Sequence, residues 1–161
     1  MTARRRPDLR RAASALLLCL AAWPSLAAAQ ATPSIGEMSR TMRNLIVAHM
    51  ELLVCDKGKT QCAPASAEET PTSLVSDADA ELIVKRGLLD GFAQRCGLDW
   101  TSRSYLPMMG DWRRQGRSER QMAAIGGLHG LVQSQILSAE LPACSDTMKA
   151  SLDAQLDFKK P

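Results

Sequence analysis

Two histidines occur in the 161 residues, His49 and His129, and each falls on the apolar stripe of a segment with helical spacing. If those stripes face one another, two imidazoles lie beside the thioethers of Met42, Met50 and Met122. Such a mixture of borderline and soft donors suits copper or zinc better than magnesium or calcium. Neither a His-x-x-x-His spacing nor a methionine triplet accompanies them. The weightier expectation is therefore two partly buried, hydrogen-bonded imidazoles that fill space, and no cofactor is predicted.

The segment that carries His129 also holds Gly126, Gly127 and Gly130. Each interior glycine costs a helix about 1 kcal/mol relative to alanine. Close helix approach across Gly126-x-x-x-Gly130 is the ordinary compensation, and a small ligand pocket beside His129 is the functional one. A second chemistry-bearing group is the run of Arg103, Arg113, Arg114, Arg117 and Arg120 beside Trp100 and Trp112. Guanidinium groups recognise carboxylates and phosphates, and the indoles offer stacking faces, so this stretch is a candidate partner surface. Asp111 and Glu119 dilute its charge, and a solvated helix end is the plainer expectation.

Catalytic signatures are absent: no G-x-S-x-G, no H-E-x-x-H and no phosphate-binding glycine loop occurs. The chain is accordingly not expected to be an enzyme, and a hydrolase ranks last among the functions considered. Cys144 or Cys96 with His129 imitates a thiol hydrolase only on paper, because oxidised cysteines are not nucleophiles.

That oxidation follows from the N-terminus. Arginines at 4–6 and 10–11 precede an apolar core from Ala15 to Trp23, then Pro24 and the small-residue run Ala27-Ala28-Ala29. This order is that of a secretory signal, expected to be removed after residue 29, with a linker over 30–34. The apolar core falls short of the roughly 20 residues that span a bilayer, and no later stretch approaches that length, so no stable membrane span is expected. Removing five arginines and one aspartate leaves 15 basic and 16 acidic residues. The basic balance thus belongs to the signal, and a nucleic-acid partner is not expected.

Four cysteines remain: Cys55, Cys62, Cys96 and Cys144. An even number in an exported chain reads as a disulfide framework, and without a C-x-x-C pair neither a redox centre nor a zinc knuckle is indicated.

The elements that must position these residues are helical throughout. Ser34-Ile35-Gly36-Glu37 forms a capping box ahead of Ile35, Met38, Met42, Leu45, His49 and Leu52, a stripe ended by Asp56-Lys57-Gly58. A long loop is expected over about 56–75, tied down by Cys62. Ser76-Asp77-Ala78-Asp79 opens a second helix that Gly97 stops. A shorter helix lies between Asp99 and Gly116, with Pro107 tolerable only in its first turn. Ser118-Glu119-Arg120-Gln121 caps the long helix of Met122, Ile125, His129, Val132 and Ile136, which Pro142 ends. Ser145-Asp146 caps a last helix, and 159–161 should fray.

No segment alternates with period two between hairpin turns, so sheet is not expected. The fold class is all-α: a small, disulfide-stabilised bundle of four to five helices over 35–158. In an antiparallel arrangement Cys55 meets Cys62 at one end, and Cys96 meets Cys144 at the other. The function class that fits best is a periplasmic or secreted binding or interaction module, such as an inhibitor, an adaptor or a chaperone-like protein. Its partner would be an envelope protein or a small ligand. A metal or small-ligand carrier centred on His49 and His129 is the alternative.

Overall fold

The structure is a computed structural model that describes residues 33–55, 58–64 and 66–159. The expected signal over 1–29, the first residues of the linker and the last two of the tail lie outside the described residues. Helix α1 spans Ile35–Ala48, and its start is the expected capping box. The Ser34 side chain accepts from Glu37 N–H, and the Glu37 carboxylate accepts from Ser34 N–H at 2.8 Å. Those bonds are the main reason that the Glu37 carboxyl lies below the usual carboxylate range.

The chain then departs from the expected long loop. A 3₁₀ turn over Met50–Leu52 leads into a two-stranded antiparallel hairpin, β1 (Val54–Cys55) and β2 (Thr60–Gln61), with Val54 opposite Gln61 and Cys55 opposite Thr60. A single helical turn, α2 (Pro71–Leu74), follows. The expectation of no sheet is thereby corrected. Two-residue strands are too short to show a period in sequence, and this pair is held by the Cys55–Cys62 disulfide and by the bond from Cys62 N–H to the Leu53 carbonyl at 2.8 Å.

Helix α3 spans Asp77–Arg95, and Ser76 caps it by accepting from Asp79 N–H. It ends in a Schellman arrangement: Leu98 N–H bonds the Ala93 carbonyl at 2.9 Å and Gly97 N–H the Gln94 carbonyl at 3.1 Å. Gly97 sits at φ +69°, a conformation that glycine adopts without steric cost. The next helix begins with a π-helical turn over Thr101–Tyr105 and continues as α4 (Leu106–Arg114). Leu106 N–H reaches back to the Thr101 carbonyl, a bond across five residues. Pro107 has no N–H to offer the Arg103 carbonyl, and Phe158 N–H takes that carbonyl instead at 2.8 Å.

Helix α5 (Glu119–Ser138) starts at the Ser118 capping box, and α6 (Asp146–Leu156) starts at Ser145. The second disulfide joins Cys96, at the end of α3, to Cys144, just before α6, with 5.4 Å between Cα atoms. Among the described residues the protein is thus a small, disulfide-stabilised helical protein of six helices.

The core lies between α1, α3 and α5, with Met50, Ile83, Val84, Met108, Ile125, Leu128 and Val132 fully or almost fully buried. The α1 stripe is rotated from its expected position. Its buried residues are Ser39, Arg43 and Val47, whereas Leu45 and Leu52 are 48% and 68% exposed. Leu45 lies on the far side of α1 from Arg43 and Val47, and Leu52 lies beyond the helix in the 3₁₀ turn, so neither reaches the core. Arg43 is tolerated inside because its guanidinium pairs with Asp77 and donates to the Val75 carbonyl at 3.2 Å, which docks α1 on the start of α3.

Candidate functional site

Helices α3 and α5 approach closely because of two glycines that composition alone did not single out. A Cβ built on Gly87 would lie 2.9 Å from Val132 Cβ and 3.0 Å from the His129 carbonyl oxygen. One built on Gly91 would lie 2.8 Å from Ile136 Cβ. These separations leave no room for a side chain, so Gly87-x-x-x-Gly91 is the notch into which α5 fits.

Inside that seam His129 Nε2 and Asp90 Oδ2 share a hydrogen bond at 2.8 Å, with His129 2% exposed and Asp90 fully buried. Three aromatic contacts close over the pair. The Tyr105 ring centroid lies 4.8 Å from the imidazole and that of Trp100 lies 6.1 Å away, stacked at 21°. Trp100 and Tyr105 contact each other at 5.9 Å. The wide turn that joins these two residues brings positions five apart toward one side, which a regular α-turn would not do. Burial raises the Tyr105 hydroxyl above its ordinary pKa of 10.0, and the nearby Arg113 charge partly opposes that shift. Two buried oxygens, Asp90 Oδ1 and Ser104 Oγ, have no hydrogen-bond partner among the described residues.

An imidazole fixed by a carboxylate is the arrangement that holds a proton at a set position. Here it is sealed, so solvent reaches the pair only if the aromatic turn or the α3–α5 seam opens. Sequence reasoning placed His129 correctly as a buried, hydrogen-bonded side chain but missed Asp90 and Tyr105. The available signal was a lone carboxylate on the α3 face that it shares with Ile83, Gly87 and Gly91.

The other expected ligands do not join it. His49 caps the C-terminus of α1 and is exposed, a correction to its expected buried position. It forms no hydrogen bond or ring contact with His129. Met42 is half-buried on α1 and Met122 is buried on α5. Among the described residues no group of three or more His, Cys, Asp or Glu side chains could hold a metal ion. The α5 glycines serve packing at two positions. A Cβ on Gly126 would lie 3.3 Å from the Tyr105 hydroxyl, and one on Gly127 would lie 2.9 Å from Leu53. Gly130 is exposed and faces open space.

The arginine run does not form one cationic face, because its members are bound to different elements. Arg103 pairs with Asp153 and Asp157 around the end of α6. Arg117 pairs with Asp79 at 2.7 Å. Arg120 pairs with Glu69 and donates to the Ala63 carbonyl at 2.6 Å, fastening the segment after the hairpin to the start of α5. Arg114 pairs with Asp111 at 3.1 Å. Trp112 is buried and Trp100 covers His129. Arg113 is exposed and makes no ion pair among the described residues.

Arg113 stands instead at the rim of a cleft of about 440 Å³ between the hairpin, α4 and α5. Val54, Met109, Met122 and Ala123 supply its apolar lining, and Glu119 brings a negative charge to the same opening. Leu53, in the middle of this segment, turns inward onto Gly127. Its neighbours Leu52 and Val54 are left 68% and 52% exposed. Methionine linings adapt to different apolar shapes, since the thioether chain is unbranched and polarizable.

No protein-family model matches the sequence, and comparison with the curated proteins and with the solved structures gives no match.

Proposed function

We propose that this chain is an exported, periplasmic or secreted interaction module that holds an apolar anchor of an envelope protein in the cleft beneath Arg113. The observation that carries this reading is the pairing of outward-facing Leu52 and Val54 with a cleft lined by Met109 and Met122 and rimmed by both signs of charge. Water-exposed aliphatic side chains beside an adaptable apolar lining are what a partner's side chain would cover. The Arg113 charge would orient that partner without adding much affinity. Export is supported by the arginine-led apolar N-terminus and by two disulfides, which persist in oxidising compartments.

The test is affinity capture from envelope extracts with the tagged chain. A stoichiometric partner should be recovered by the wild type and by Leu137→Asp, an exposed position outside the cleft. Ala123→Glu, Val54→Asp and Arg113→Glu should each lose it while keeping the wild-type circular dichroism. Equal recovery by all variants would refute the assignment of the cleft.

A further inference from the structure

A second and more apolar cleft lies at the C-terminal end of α3 and shares no lining residue with the one just assigned. It has a volume of about 520 Å³, within the roughly 300–1,000 Å³ range of small-molecule sites. Phe92, Leu141, Pro142 and Met148 form its walls, and the Cys96–Cys144 disulfide crosses it. The disulfide fixes the segment before α6 to the end of α3, so these walls are held in place whether or not anything is bound.

One charge stands at this cleft. Arg95 donates from Nη1 to the Ala139 carbonyl at 3.2 Å and from Nη2 to the Leu141 carbonyl at 3.0 Å. Those bonds anchor the guanidinium at the cleft and use two of its five N–H groups. Their acceptors carry no formal charge. Among the described residues Arg95 forms no ion pair, not even with Glu140, which lies between the two residues whose carbonyls accept from it. An anchored cation with N–H groups to spare, beside walls of aromatic, aliphatic and thioether carbon, complements a molecule with one apolar body and one anionic end.

We infer that this cleft binds a small monocarboxylate with an aliphatic tail, the tail against Phe92 and Met148 and the carboxylate on Arg95. A carboxylate accepts charge-assisted bonds from a guanidinium that an alcohol cannot match. That difference corresponds to about tenfold or more in affinity.

The experiment is titration calorimetry of the oxidised chain with decanoate and with decanol. Saturable decanoate binding is expected, with decanol at least about tenfold weaker. Arg95→Gln should bring the two ligands level, Arg95→Lys should restore part of the difference, and Ala143→Trp should abolish both by filling the cleft. Thermal melts of each variant separate loss of binding from loss of fold. Absence of saturable decanoate binding to the folded wild type, equal affinity for decanol, or indifference to Ala143→Trp would each overturn the inference. So would preference for an apolar peptide with a free C-terminal carboxylate over decanoate.

Discussion

The α3–α5 seam and the hairpin that precedes it are held by opposite means. The seam is closed by omission and burial: two glycines remove side chains, helix meets helix, and the His129–Asp90 pair inside is covered by Trp100 and Tyr105. The hairpin has little interior of its own. It relies on a local disulfide, on Leu53 packed against Gly127, and on Arg120 pairing with Glu69 beyond it. Its remaining aliphatic side chains point to water. One region spends its apolar surface on the fold, and the other keeps some in reserve for contact, which is why the proposed partner site is placed at the hairpin.

The largest effect should separate the two disulfides. In the chain-entropy account, closing the loop of sequence separation 48 from Cys96 to Cys144 contributes about 4 kcal/mol, against about 2.4 kcal/mol for the separation of 7 from Cys55 to Cys62. Urea unfolding of the Cys→Ser pairs should show that order. Equal losses would mean that native contacts outweigh loop closure.

Next comes the buried pair. Asp90→Ala should cost about 3 kcal/mol, because His129 is left inside without its partner. Asp90→Leu combined with His129→Leu should cost less than the sum of the two single changes, and a double-mutant cycle measures that coupling.

Glycine substitutions sharpen the contrast further. Gly91→Ala should destabilise by about 1–3 kcal/mol, since its new methyl would press on Ile136. Gly130→Ala meets open space and should stabilise by about 0.5–1 kcal/mol through helix propensity. Thermal melts that rank them the other way would contradict the notch.

The smallest effect concerns the fastening of the segment after the hairpin. Hydrogen bonding to Arg120 holds the Glu69 carboxyl below its ordinary value of 4.5. A depressed folded-state pKa contributes stability above 4.5 and loses it as pH falls through the lowered value. Glu69→Gln should therefore cost up to about 1 kcal/mol near neutral pH, and its deficit should shrink as the medium is acidified below 4.5. A deficit that does not change with pH would show that the pair contributes through shape alone.

Much of the helical frame was legible in the sequence because capping is local chemistry. Ser34, Ser76, Ser118 and Ser145 all cap as their spacing indicates, and Gly97 ends α3. Cys55 pairs with Cys62 and Cys96 with Cys144, the pairs that an antiparallel run of helices implies. What stayed hidden depends on partners distant in the chain. Asp90 reads as an ordinary solvated carboxylate until α5 places His129 against it. His49 reads as a core residue until the helix ends one position before it. The hairpin leaves no period at all, since each of its strands is only two residues long. The Arg113 cleft draws its lining from three separate segments, so only its charged rim could be suspected beforehand.

Pro107 has a consequence beyond local geometry. By withholding a donor from the Arg103 carbonyl it leaves an acceptor that Phe158 N–H fills, while the Arg103 side chain grips Asp153 and Asp157. The turn beneath Trp100 is therefore finished by residues synthesised some fifty positions later. A chain made from its N-terminus carries an open bond at that turn until residue 158 has followed, and completion of this corner waits on that residue.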